Sequence, residues 1–378
     1  MPNYNRRKVL GYSAAALGTG TGFLSTAQAS SDDDELDESD ESEIIGDDPD
    51  LPTVAILATG GTIAAEGDDG DLTGYSAGEV EGVELVSGVP QILDHANVLV
   101  DQIANVGSSS ITEDELLDLA HRSNELLSQD DPEISGVVIT HGTWTLEETT
   151  WFMNLTVDSK KPVVSVGAQR PPTAISPDGP LNLVNAVRVA AAENAREKGA
   201  MLVMNEEINA ARDVTKSNAY RVNAFRSGEL GVLGYADADE VVFNREPTSS
   251  RHTYNSEFDV SGMDELPNVG IVMSHQEASG VALDALVEEG YDGVVVHGHG
   301  SGGLAPDMRE TVREEDYDIP IVRTAQSMNS RIQDSESYRE DGIISGEDLA
   351  PLHARILLRL ALTETDEFDE LVRIFSEY

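Results

Sequence analysis

The stretch Val54-Ala55-Ile56-Leu57-Ala58-Thr59-Gly60-Gly61-Thr62 decides how this chain is read, and Val137-Val138-Ile139-Thr140-His141-Gly142-Thr143 repeats its design. Each is a short, mainly apolar run that stops abruptly in glycine and threonine. Such runs predict buried parallel strands. Glycine at the carboxyl end lets the backbone turn tightly and brings a small hydroxyl to an open crevice, the edge at which α/β sheets bind ligands.

Outward from these two runs, strand-like segments alternate with helical patterns, which predicts an α/β fold. Strands are expected at 53–58, 136–140, 163–167 and 201–205. Thr112-Glu113-Asp114-Glu115 is a capping-box start for a helix carrying Leu116, Leu117, Leu119 and Ala120. A second helix is expected from Gly179 to Lys198, with Gly199 as its stop. Polar, irregular sequence at 245–266 then separates a second run of the same type. Its strands are expected at 269–273, 292–297 and 319–323, with a helix near 281–289 and a final amphipathic helix at 350–362. The expected division is 51–244, a linker at 245–266, and 267–378.

The 378 residues allow about two domains of roughly 100–200 residues each. With 70 Asp and Glu against 24 Lys and Arg, the formal net charge is -46, which repels nucleic acid and anionic membrane surfaces. Carboxylates occur throughout the chain, and only five of the basic residues are lysine. That pattern points to an acidic surface kept soluble in concentrated salt, and so to a halophilic source.

Asn5-Arg6-Arg7-Lys8-Val9-Leu10 precedes a weakly apolar stretch ending Ala27-Gln28-Ala29. This order predicts a twin-arginine signal peptide at 1–29, against the alternative of a basic disordered start, and hence an extracellular or cell-surface protein. Residues 30–50 read as an acidic disordered spacer. No later stretch is long and apolar enough to span a bilayer. The chain has no cysteine, which excludes disulfides and a cysteine nucleophile.

Thr62 reads either as a nucleophile needing a base or as a turn threonine capping the next helix. Thr143 occupies the matching place. Lys216, in Arg212-Asp213-Val214-Thr215-Lys216-Ser217-Asn218, is a base if partly buried and a surface residue otherwise. A phosphate-binding loop at Gly60-Gly61-Thr62 fails, because neither glycine fingerprint is present and Glu66, Asp68 and Asp69 follow. At His297-Gly298-His299-Gly300-Ser301-Gly302-Gly303 no third metal ligand stands at a recognised spacing, and the glycines sit wrongly for an esterase elbow. A glycine-rich substrate loop is the better reading, with no metal or other cofactor expected.

Taken with Gly167-Ala168-Gln169-Arg170-Pro171, Asp178-Gly179-Pro180 and Ala354-Arg355-Ile356-Leu357-Leu358, these motifs make the chain resemble the bacterial-type L-asparaginase family, from Leu51 to Tyr378. The resemblance implies a larger N-terminal domain with a parallel-type sheet and a smaller C-terminal flavodoxin- or Rossmann-like domain. It also implies a homotetramer with active sites at subunit boundaries, acting on a small-molecule amide. By motif position Thr62 would be the nucleophile, helped by Tyr75, with Thr143 and Lys216 as second hydroxyl and base. Ser108 matches the serine that holds the substrate α-carboxylate. Glu336 matches the acidic residue given by the neighbouring subunit, with Asp334 as the alternative register.

Three positions depart from the family pattern, all in substrate recognition. Trp144 stands where the family has an aspartate that binds the substrate ammonium, a charge-assisted contact worth roughly 1.5 to 3 kcal/mol. Ser109 stands where a glutamine is common, and Ser301 where the neighbouring subunit often gives an asparagine. Glu66 and Glu147 are the two candidates for a carboxylate that replaces the missing one. The alternatives are therefore an asparaginase, an amidohydrolase of altered specificity, or an exported binding protein for a small amino acid.

Overall fold

The structure is a computed structural model that describes residues 43–67, 75–76, 80–130, 132–315, 317–327 and 330–378. The expected signal segment and most of the acidic spacer lie outside the described residues. Among the described residues, thirteen strands precede the polar stretch at 245–266: β1 Glu43–Ile45, β2 Thr53–Gly60, β3 Glu66–Gly67, β4 Tyr75–Ser76, β5 Asn97–Val106, β6 Ile134–Thr140, β7 Val163–Val166, β8 Ala200–Met204, β9 Glu207–Ala210, β10 Thr215–Lys216, β11 Phe225–Arg226, β12 Gly234–Ala236 and β13 Val241–Phe243. Nine of them form one sheet in the order β1-β5-β2-β6-β7-β8-β9-β12-β13.

The sheet is parallel at its centre, as expected, and mixed at its flanks. Its five central strands, β5-β2-β6-β7-β8, are parallel, but β1 pairs antiparallel at one flank and β9, β12 and β13 at the other. The reversal at β8–β9 uses a two-residue turn, Asn205-Glu206, with φ 55 and 60. Positive φ at both central residues gives the twist that a tight hairpin needs. Glutamate in the second place hides that turn from a sequence reading.

Among the described residues, four helices cover this sheet: α1 Gly82–Ser87, α2 Glu113–Ser128, α3 Leu146–Thr156 and α4 Gly179–Ala191. Side chains alternate along β2, so Val54 and Ile56 join the core that holds Leu85 of α1 and Leu183 of α4. Ala55 and Leu57 join the core on the other face, with Leu117 of α2 and Trp151 and Phe152 of α3. The near-continuous apolar sequence follows from burial on both faces. The capping box forms as expected: the Glu115 amide donates to the Thr112 hydroxyl at 3.4 Å, and the Thr112 amide donates to the Glu115 carboxylate at 2.6 Å. The helix expected to run to Lys198 stops at Ala191, because Ala192 turns to extended backbone and a 3-10 turn follows at Glu193–Ala195.

Beyond the polar stretch, β14 Val269–Met273, β15 Gly293–Gly298, β16 Ile321–Ala325 and β17 Ile343–Ser345 form a four-stranded parallel sheet in sequence order. Its helices are α5 Val281–Glu288, α6 Pro306–Glu315, α7 Glu336–Arg339, α8 Pro351–Glu364 and α9 Phe368–Glu377. β16 begins just after Pro320, as a proline without an N–H requires. The helix expected at 350–362 is followed by a further one, α9, whose Leu371, Ile374 and Phe375 are buried.

One core reaches both sheets. The cluster holding Trp151 and Phe152 continues through Phe258, Val260 and Leu266 of the irregular stretch to Val295, Leu357 and Phe375. The Trp151 indole N–H donates to the His353 carbonyl at 3.1 Å, which joins α3 to α8 by a polar bond within that core. Among the described residues, no helix is long and apolar enough to cross a membrane.

Candidate active site

The two motifs that opened the sequence reading meet in space. β2 and β6 are adjacent and parallel, with Ala58 opposite Thr140, so both glycine-threonine turns leave the sheet at the same edge. The Thr59 hydroxyl donates to the Thr140 carbonyl at 2.8 Å and ties the strand ends together. Gly61 has φ 82, and a Cβ placed there would lie 2.3 Å from the Gly142 nitrogen. Only glycine permits both this backbone angle and this approach. Thr62 follows at once, buried in the 3-10 turn Thr62–Ala64.

A third loop joins them from the end of β5. A Cβ on Gly142 would lie 2.7 Å from the Ser108 hydroxyl, so that serine sits directly on the second turn. Its oxygen accepts the Trp144 amide at 3.2 Å, and the Thr145 hydroxyl donates to the Ser108 carbonyl at 2.9 Å. A hydroxyl that accepts in this way keeps its own proton to donate, as carboxylate binding would require. Ser109, the next residue, is exposed.

Lys216 reaches the cluster from β10, a two-residue strand paired with β11. Its Nζ lies 2.6 Å from Thr143 Oγ1 and 5.9 Å from the centre of the Phe225 ring. Burial lowers the lysine pKa to about 8, an effect only partly offset by the charge of Glu147. A neutral amine is therefore accessible close to neutral pH, and it can take a proton from the threonine hydroxyl. The reading of Lys216 as a surface residue falls with this contact.

Glu147, in the first turn of α3, is 5% exposed. Its carboxylate accepts the Lys216 amide and, at 3.4 Å, the Thr215 hydroxyl. Burial raises its pKa, against the hydrogen bonds from Lys216 and Thr215. It thus lies beside the lysine, one of the two candidates for a replacement carboxylate; the side chain of the other, Glu66, lies outside the described residues. His141 is fully buried between the Gly142 carbonyl at 2.8 Å and the Thr149 hydroxyl at 3.1 Å. Burial holds its pKa near 4, so the ring is neutral and acts in shaping the turn.

Trp144 is 73% exposed, with only its main chain engaged by Ser108. Tyr75 lies on β4, paired with Gly67, and its side chain lies outside the described residues. Ser301 and Glu336 are exposed in segments that follow β15 and β16. Arg323 ties these segments together by donating to the Gly302 carbonyl at 3.3 Å and the Gln333 carbonyl at 2.6 Å. Asp334 is held by Arg339 at 2.8 Å, so of the two alternative carboxylates Glu336 is the one outside that ion pair.

Sequence reasoning gave no role to Thr215, Phe225 or the Asp178 carboxylate. The last accepts the amides of Gln169 at 3.1 Å and Arg170 at 2.8 Å, so two of the motifs are partners in one turn. A cavity of about 350 Å³ opens beside Lys216, lined by Thr215, Ser217, His297 and Gln326. A second, of about 330 Å³, lies against Ser108, Thr145 and Arg355.

Comparison with known proteins agrees with this arrangement along the chain. A family profile described as "Asparaginase, N-terminal" matches residues 53–249, and one described as "Glutaminase/Asparaginase C-terminal domain" matches residues 268–375. L-asparaginase 2 of Bacillus subtilis is 45% identical over 332 residues, 87% of each chain. L-asparaginase 2 of Escherichia coli is 41% identical over 331 residues, 87% of this chain and 94% of that one. The crystal structure of a probable cytoplasmic L-asparaginase from Campylobacter jejuni superposes with a TM-score of 0.83 at 42% identity, covering 86% of this chain and 100% of that one. With both domains matched and the two threonine turns, the serine and the lysine gathered at one sheet edge, the chain belongs to the asparaginase family.

Proposed function

We propose that this protein hydrolyses L-asparagine to L-aspartate and ammonia through a threonine nucleophile, Thr62. The observation that carries the reading is the 2.6 Å contact between Lys216 Nζ and Thr143 Oγ1 beside the Thr62 turn. Thr62 Oγ attacks the side-chain amide carbon, and its proton passes by way of the threonine-lysine pair to the amide nitrogen. The carbon–nitrogen bond breaks and ammonia leaves an ester on Thr62. Water then cleaves the ester, releasing aspartate and restoring the hydroxyl. Amides at the two glycine turns stabilise the oxyanion in both steps. Tyr75 assists at Thr62, and Ser108 donates to the α-carboxylate.

Trp144 supports a second reading, altered amide preference. Its exposed indole brings no charge to the position beside Thr143, which disfavours an α-ammonium and admits amides without one. A binding protein with no turnover has less support, since capture alone has no need of a lysine with a lowered pKa on a threonine hydroxyl. Export by the twin-arginine route, assembly as a homotetramer completed by Ser301 and Glu336 of a neighbour, and operation in concentrated salt belong to the same proposal. The test is ammonia release from a panel of asparagine, glutamine and amides lacking the α-ammonium, assayed in concentrated salt. Turnover of asparagine supports the first reading, turnover of the other amides alone supports the second, and stoichiometric binding without turnover overturns both.

A further inference from the structure

The charge around the Thr143–Lys216 pair is unevenly distributed. Several carboxylates and cations near Lys216 are committed to each other. Asp213 is paired with Arg245 at 2.8 Å, Asp348 with Arg212 at 2.6 Å and Glu347 with Arg331 at 2.7 Å. Glu148, next along α3, faces Arg355 at 3.8 Å. Glu229 and His297 line the cavity on the open side. Glu147 differs from the paired acids in its partners: it is buried, as the Asp213 side chain is, but its carboxylate is spent on the Lys216 amide and the Thr215 hydroxyl rather than on an arginine. The Phe225 ring, 5.9 Å from the lysine amine, gives it an apolar wall.

We propose that Glu147 is a positioning residue for Lys216, anchoring the main chain of β10 so that the amine meets Thr143, and setting a negative charge near that amine. The inference rests on the reading of Lys216 as the base. Geometry gives the anchor: β10 has only two residues, and its pairing to β11 leaves the Lys216 amide to be satisfied by the α3 carboxylate. Chemistry gives the charge. A buried carboxylate beside an amine favours the ammonium form and opposes the desolvation that drives the proton off. Glu147 thereby sets how basic the lysine remains inside an apolar wall.

The test compares Glu147→Gln and Glu147→Asp with the wild type by pH profiles of kcat and kcat/KM for asparagine in concentrated salt. Thermal melts are run alongside. Glutamine keeps an acceptor for the Lys216 amide and loses the charge. The acid limb of its profile is expected to move down by about one unit, with kcat lowered and KM little changed. Aspartate keeps the charge on a shorter arm, and the limb is expected to return toward the wild-type position even where kcat stays low. An unshifted limb in Glu147→Gln, whatever its melting temperature, overturns the inference. Should Glu147→Gln not fold, a Glu147→Asp profile with both limb and kcat unchanged overturns it equally. Lys216→Met separates the two levels. Wild-type turnover there overturns the base reading itself, whereas loss of turnover there with an unshifted Glu147→Gln profile overturns only the role of Glu147.

Discussion

Lys216 Nζ sits 2.6 Å from the hydroxyl of Thr143, although 73 residues separate them. Burial brings the lysine pKa down to about 8, so near neutral pH the amine exchanges between donating to that hydroxyl and accepting from it. Only the neutral form can act as a base. kcat/KM for asparagine is therefore expected to rise with pH through about 8 and then level. A pH–rate profile checks it, and the limb should vanish in Lys216→Met with a loss of about 10² to 10⁴ in kcat.

Trp144→Asp is expected to raise kcat/KM for asparagine by about one to two orders of magnitude if the missing ammonium contact limits binding. Because the indole is exposed and Ser108 holds only the main chain, the melting temperature should change little. Steady-state kinetics with asparagine and with an amide lacking the α-ammonium check both parts. The gain should appear for asparagine alone.

Gly61→Ala is expected to destabilise the protein by about 1 to 3 kcal/mol and to reduce turnover more than stability alone would explain. Gly61 has φ 82, and an added methyl would press on the Gly142 backbone, moving the Thr62 turn against the Thr143 turn. Denaturant melts and kinetics on the same preparation separate the two effects. A variant with wild-type stability and turnover would contradict the contact between the turns.

How far this arrangement can be read from sequence depends on how local its causes are. Thr62 and Thr143 were legible because each follows a buried strand and a glycine turn within one short segment. Lys216 was not, since β10 is two residues long and the lysine acquires meaning only by a contact made across the fold; the family resemblance supplied it. Helix α3 escaped notice because its polar residues, Glu147, Thr149, Thr150 and Asn154, are buried along with Trp151 and Phe152, which leaves no amphipathic stripe to read. The antiparallel flank was hidden by Asn205-Glu206, a tight turn without its usual glycine. Exposure of Trp144 and the anchoring of Lys216 by Glu147 are likewise matters of side-chain placement.

Whether Thr62 is the nucleophile is decided by ammonia release from asparagine by Thr62→Ala, measured in concentrated salt beside wild type and Thr62→Ser. Thr62 as nucleophile requires turnover by the wild type, a small residual rate in Thr62→Ser, and a loss of about 10³-fold or more in Thr62→Ala with the melting temperature nearly unchanged. Turnover by Thr62→Ala at the wild-type rate would contradict it.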